Sequence, residues 1–293
     1  MSKQSEKWLY LLVLGCIWGS SFILIKKGLL TLNPLQLGSL RILFSTCFLL
    51  LIGFRSISKI QKKDWIWIAL SALLGTFIPV FLFAYAETEI DSSVAAILNS
   101  LVPLMTIALG ALIFRIKNRI GQILGVLIGF IGTLILILKG ADINADQDYR
   151  YSLLVVLASV CYALNINVIK SKLQNIPALA IAVGNFVLML IPSLFVLWFS
   201  DFFAQETLAQ PELKTSIIYV LILAIFGTGI AKIMFNKLVQ LSSPVFASSV
   251  TYVIPIVAIG FGFADGERFH WIQLLGGGFI FLGIFLANKK TAK

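Results

Sequence analysis

Residues 55–91 read RSISKIQKKDWIWIALSALLGTFIPVFLFAYAETEID. Arg55, Lys59, Lys62 and Lys63 open the stretch, Glu87, Glu89 and Asp91 close it, and residues 65–86 between them carry no charge. About 20 apolar residues carry a helix across a bilayer, and Lys and Arg accumulate on the cytoplasmic side of such a crossing. The stretch therefore reads as one transmembrane helix with a basic inner end and an acidic outer end.

The same grid continues in both directions. Lys3 and Lys7 precede the first run; Arg115, Lys117 and Arg119 form a basic break; Asp142, Asp146 and Asp148 form an acidic one. Lys170 and Lys172, then Asp201, Glu206 and Glu212, then Lys237, then Asp265 and Glu267, and finally Lys289, Lys290 and Lys293 follow in turn. Apolar runs predict spans near residues 8–26, 34–54, 65–86, 92–114, 120–139, 151–169, 178–199, 216–236, 243–263 and 271–288. Strands of a membrane barrel would be about half as long and would alternate in polarity. The expected fold is thus all-α and integral to the membrane, with ten transmembrane helices. The first run is long enough to remain as a span.

Composition agrees with this class. The chain of 293 residues is 59% hydrophobic and 12% charged, with a mean hydropathy of +0.98, whereas soluble domains are about 45–50% apolar and about 25% charged. The net charge of +10 is spread over many short breaks, which argues against a nucleic-acid partner and for a bilayer. With both termini cytoplasmic, 15 Lys and Arg fall inside and 6 outside, leaving Arg41 and Lys232 within spans. Cys16, Cys47 and Cys161 lie in apolar runs and read as buried thiols.

The two halves of the chain resemble each other. Gln122-Ile-Leu-Gly125 matches Gln273-Leu-Leu-Gly276, Gly75-Thr76 matches Gly227-Thr228, and Pro103 matches Pro255. Lys26 matches Lys170, and Pro34 matches Pro177. Residues 1–144 and 145–293 then form two repeats of five spans each. Five is odd, so the second repeat is inverted, an arrangement that places a solute site near the membrane midplane.

Trp18-Gly19 with Phe22, Arg41, the paired Pro103 and Pro255, and Gly266-Glu267 ahead of Gln273 and Gly276 resemble the drug/metabolite transporter superfamily, specifically the EamA-type ten-helix permeases. The resemblance covers the whole chain. It implies a proton-coupled or facilitative carrier of small metabolites, often an amino-acid exporter, in a bacterial inner membrane. One departure from the pattern is Arg115-Ile116, which stands where the second half has Gly266-Glu267.

No catalytic cluster supports an enzyme: His270 is the single histidine, and neither metal-ligand spacing, a nucleophile elbow nor a P-loop occurs. No cofactor is expected. Chemistry must come from polar groups inside the spans. Lys232 either meets a carboxylate or phosphate or snorkels to the headgroups. Arg41 is a cavity cation, a gate partner for an acid such as Glu87, or a structural arginine on neighbouring carbonyls. Trp18 and Tyr162 occupy equivalent places in the repeats, as do Ser21 and Asn165. Aromatic walls with a few amides suit a small zwitterion or aromatic metabolite, although packing and interhelical bonding suit the same residues.

Asn99 and Ser100 precede Pro103, and Ser248, Ser249, Thr251 and Tyr252 precede Pro255. A proline frees a carbonyl that side chains, water or ligand must satisfy in a membrane, so both fourth helices are expected to bend there. The expected solute site comprises Trp18, Tyr85, Asn99, Tyr162, Asn165, Lys232, Ser248 and Tyr252, with Arg41, Pro103 and Pro255 in gating or structural roles. Gly125 and Gly129, and Gly276 to Gly278 with Gly283, read as scaffold or as a homodimer face. No carboxylate lies deep in a span, so transport is expected to respond little to a pH gradient. The expected function is a secondary carrier that exports small polar metabolites, amino acids or related compounds. A membrane subunit with a structural or signalling role and no transport is the alternative.

Overall fold

The structure is a computed structural model that describes residues 3–114, 120–143, 147–267 and 271–288. Arg115-Ile116 and His270 lie outside the described residues. Among the described residues there are helices and no strands. Eight helices are long and apolar enough to cross a membrane: α1 (Gln4–Gly28), α2 (Pro34–Lys59), α3 (Lys62–Ala86), α4 (Ser92–Ile113), α6 (Tyr149–Lys172), α7 (Ala178–Trp198), α8 (Leu213–Leu241) and α9 (Pro244–Ala264). Two further helices, α5 (Ile120–Ile143) and α10 (Trp271–Asn288), contain shorter apolar stretches. Helices are the form such segments must take, because hydrocarbon offers nothing to an unpaired backbone group.

Local chemistry sets the helix ends. Asn33 caps α2, accepting from the Gln36 backbone while the Gln36 side chain accepts from the Asn33 backbone. Pro34 follows at the first helical position, where a missing N–H costs nothing. Ser243 caps α9 by accepting from the Phe246 backbone, again with a proline next. After α9, Gly266 takes φ +86°, a conformation that favours glycine, and the turn brings Glu267 back towards α1 and α4.

The glycines of α5 and α10 serve packing within the chain. A methyl group on Gly132 would stand 2.6 Å from the Gly276 carbonyl oxygen, and one on Gly283 would stand 2.7 Å from the Gly129 nitrogen. The two backbones touch, as small-residue motifs permit. A methyl group on Gly278, by contrast, would meet nothing within 4 Å.

Four interruptions shape the centre. Helix α4 breaks at Ser100 and Leu101, just ahead of Pro103, and α9 passes through a 3-10 turn at Ser249–Tyr252 ahead of Pro255. Helices α3 and α8 each contain a π-helical stretch, Leu73–Phe77 and Leu223–Ile230, which hold the repeated Gly-Thr pairs. Such bulges widen the turn and leave backbone carbonyls to find other partners. The three cysteines are free: Cys161 is buried, but Cys16 and Cys47 are exposed. A helix that is apolar on every face does not declare in its sequence which side meets lipid, so the reading of all three as buried fails for two.

Candidate functional site

The carbonyls released by the two π stretches organise the middle of the molecule. Gly75 O accepts from Lys232 Nζ at 2.6 Å, and Gly227 O accepts from Trp18 Nε1 at 3.0 Å. Ala224 O accepts from Ser45 Oγ at 2.9 Å. Side chains of one half of the chain thus reach the bulge in the other half. Asn165 packs on Gly75 and Ser21 packs on Gly227, each where a Cβ would otherwise sit. Ser71 Oγ donates to Asn165 Oδ1 at 2.7 Å, and the Asn185 amide lies 3.2 Å from Ser71 Oγ.

Around these contacts lies a cavity of about 100 Å³, room for several water molecules. Its lining comes from α1, α2, α3, α4, α6, α8 and α9. Trp18, Asn99, Tyr162, Asn165, Lys232 and Ser248 all face it, as does Arg41. Phe22 and Thr228, noted in the sequence for the resemblance and the repeat, also line it, as do Ile25, Phe83 and Phe235, which the sequence did not single out. Trp18 and Phe235 stand 5.0 Å apart, Phe22 meets Phe83 edge-on at 5.6 Å, and Phe83 stacks on Tyr162 at 6.0 Å. Asn99 Oδ1 and Thr76 Oγ1 are buried beside the cavity with no hydrogen-bond partner among the described residues.

The remaining expected positions lie elsewhere. Tyr85 is exposed and outside the lining. Tyr252 sits with Trp8, Phe246 and Phe281 in a separate apolar groove. Pro103 and Pro255 are buried behind the cavity wall rather than on it. Lys232 does not snorkel; its ammonium is buried and bonded to the middle of α3. Arg41 Nε donates to Thr228 Oγ1 at 2.7 Å, a side chain rather than a carbonyl, and no ion pair with Glu87 occurs among the described residues.

One turn beyond the Phe22 and Ile25 wall, charges tie three helices together. Lys26 Nζ lies 2.9 Å from Glu267 Oε1 and 3.2 Å from Asp265 Oδ2, and Lys27 pairs with Asp265. Glu267 also accepts from Ser92 Oγ at 2.7 Å, from the Ser93 hydroxyl, and from the Ser92 and Ser93 backbone at 3.2 and 3.3 Å. Burial pushes the Glu267 carboxyl up, but the bonds from Ser93, Ser92 and Lys26 outweigh it and hold it below its ordinary value. Asp265 behaves alike: burial raises it, and Lys27 and Lys26 bring it lower still. Glu87, just after α3, is also buried, yet neither of its oxygens has a hydrogen-bond partner among the described residues. Burial, reinforced by the charge of Glu267 and only partly offset by Arg41 and Lys26, raises it well above the usual carboxylate range.

At the opposite end, Lys170 Nζ donates to Ser242 O at 2.6 Å and reaches Val239 O and Gln240 O at 3.4 Å. Gln240 Nε2 returns to Leu173 O and Ile176 O at 3.0 and 2.7 Å. Trp8 meets Phe246 edge-on at 5.2 Å, and Lys172 stands 4.9 Å over the Trp67 ring.

A bundle of apolar helices around a central hollow that holds a few polar and charged groups, tied by charge at one end, has the build of a membrane transporter. The chain belongs to the EamA-like transporter family, whose model matches residues 7–138 and again residues 150–289. Similar proteins bear it out. An Escherichia coli (strain K12) protein named "Uncharacterized inner membrane transporter YedA" is 27% identical, over 95% of this chain and 89% of its own. An "Uncharacterized transporter" of Archaeoglobus fulgidus is 24% identical, over 97% of this chain and 99% of its own. A Salmonella typhimurium protein named "Probable amino-acid metabolite efflux pump" is 24% identical, over 97% of this chain and 94% of its own. A solved chain described as "Crystal structure of protein" shares the fold with a TM-score of 0.68 at 16% identity, over 97% of this chain and 96% of that one. The protein is a transporter and not an enzyme.

Proposed function

We propose that this transporter is a secondary carrier that exports small polar metabolites, amino acids or related compounds, by alternating access. Residues 1–144 and 145–293 act as two inverted five-helix halves that rock about the central cavity, opening the Lys26 end and the Lys170 end in turn. The carrying observation is the midspan cavity itself, lined from both halves, with Asn99 Oδ1 and Thr76 Oγ1 unsatisfied at its wall. The reciprocal contacts support the two-fold relation: Trp18 on Gly227 answers Lys232 on Gly75, and Ser21 on Gly227 answers Asn165 on Gly75. The family match in two successive stretches supports the duplication. The name of the Salmonella relative supports the solute class and the outward direction.

The excess of Lys and Arg on one set of breaks supports a bacterial inner-membrane location with both termini cytoplasmic. The test is counterflow in proteoliposomes loaded with unlabelled amino acids and their deaminated relatives. A labelled trace of at least one should accumulate transiently, about tenfold above protein-free vesicles. Uptake equal to protein-free vesicles across the whole set would refute amino acids and their relatives as the solute class.

A further inference from the structure

The cavity is charged in one direction only. Arg41 and Lys232 line it, and among the described residues no Asp or Glu does. The two cations are brought together by α8: Thr228, which accepts from Arg41, lies four residues before Lys232 on the same helix, and residues at that spacing share a face. Neither cation is used up. Arg41 spends Nε on Thr228, and its terminal nitrogens make no hydrogen bond among the described residues. Lys232 spends one N–H on Gly75 O and keeps two more. Both side chains are buried, and buried charges in a membrane ordinarily pair with an opposite charge. Glu87 is the carboxylate whose field reaches Arg41, yet it forms no ion pair with it and stands outside the lining.

The rest of the wall limits the partner. Trp18 with Phe235, and the row Phe22, Phe83 and Tyr162, offer aromatic faces. The unsatisfied Asn99 Oδ1 accepts a hydrogen bond, which a solute hydroxyl can supply. No group on the wall offers the countercharge that an ammonium would need.

We propose that the cavity is an organic-anion site: it takes carboxylates with an aromatic or branched apolar body and rejects compounds in which an ammonium accompanies or replaces the carboxylate. Arg41 and Lys232 bind the carboxylate, and the aromatic row takes the body. The inference rests on the carrier reading and narrows its solute from amino acids and their relatives to the relatives that lack the amine.

Three probes with one ring and different charges test it: 3-phenylpropanoate, phenylalanine and 2-phenylethylamine. Thermal shift and calorimetry on the full-length protein in chloride-free detergent should show the propanoate binding at least tenfold tighter than phenylalanine, and no binding of the amine. Lys232→Met should lose that preference, while Lys232→Arg should keep most of it. The ligand-free melting temperature of each variant separates lost binding from lost folding. Phenylalanine or the amine binding as tightly as the propanoate would overturn the proposal. So would preference retained in Lys232→Met, equal stabilisation by sodium chloride alone, or no binding by any of the three. Counterflow of phenylalanine without anion preference would leave the carrier standing and remove this inference. Tight anion binding without movement of any solute would do the reverse.

Discussion

Lys26 and Lys170 occupy matching positions near the ends of α1 and α6, yet they hold their ends of the molecule differently. Lys26 reaches across the chain halves to Glu267 and, with Lys27, to Asp265, while Glu267 gathers in Ser92 and Ser93. Lys170 stays in its own half and bonds three carbonyls at the end of α8 and the turn beyond. What joins the halves at that end is uncharged packing, with Gly53 against Leu179 and Val183 and Gly184 against Ile60, an aromatic edge between Trp8 and Phe246, and a cation over the Trp67 ring. One end is therefore an ionic clasp between halves, and the other is stiffened within a half and closed across by apolar and aromatic contacts. Charge pairs screened from water break at higher cost than aromatic or cation–π contacts. On this account the Lys170 end opens first in the absence of solute.

The strongest attack on that contrast is Glu267→Gln. It leaves Lys26 without its closest acid and converts a charged acceptor of several bonds into a neutral one. Loss of one partner of a desolvated pair costs about 3 kcal/mol, so the melting temperature should fall by several degrees and solute should enter from the Lys26 end. Unchanged stability would mean that the clasp carries no load. Lys170→Met comes next, at about 2 kcal/mol for charged-group hydrogen bonds. It should loosen α6 from the α8–α9 turn without opening the Lys26 end, as limited proteolysis of each face would report.

Acidity sharpens the same comparison. Glu267 and Asp265 sit below their ordinary values, so the stability they add is present above the unfolded carboxylate range and is lost as pH falls through the lowered values. Acid should thus release the Lys26 end, and melting curves of Glu267→Gln should show a weaker dependence, with the Asp265 part retained. Glu87 carries the opposite sign. Its raised value means that stability declines as pH rises from the ordinary carboxylate range towards that value. Glu87→Gln should therefore gain about 1 kcal/mol near neutral pH and change little at pH 4. A loss at neutral pH would show that the ionised form is held by partners.

The spans are legible in the sequence because hydrocarbon demands long apolar runs and gathers charge at their ends. The predicted run of residues 65–86, for example, ends where α3 does. Also legible is the duplicated Gly-Thr pair, since two copies of a small-polar step in matching helices stand out. Its geometry is not: nothing in Gly75-Thr76 announces a π turn, whose carbonyls then draw Lys232 and Trp18. Rotation about each helix axis is hidden too. Tyr85 and Tyr252 look equivalent to Tyr162 as polar-tipped aromatics, and only the packed bundle turns two of them away from the cavity. Glu87 and Glu267 sit in breaks, where the sequence alone does not tell a buried acid from a solvated one, and the turns that follow α3 and α9 fold them inward.

Alternation between the two ends is the central claim, and a pair of distances tests it. Spin labels at Thr88 and Phe263 report the Lys26 end, and labels at Lys63 and Ser171 report the Lys170 end; all four positions are exposed. The labelled chains carry serine at Cys16, Cys47 and Cys161. In lipid nanodiscs the account predicts two distance populations at each end, anticorrelated, with the Lys170 end mostly open without solute and Glu267→Gln shifting opening to the Lys26 end. A single distance at both ends, unmoved by solute or by Glu267→Gln, would contradict it.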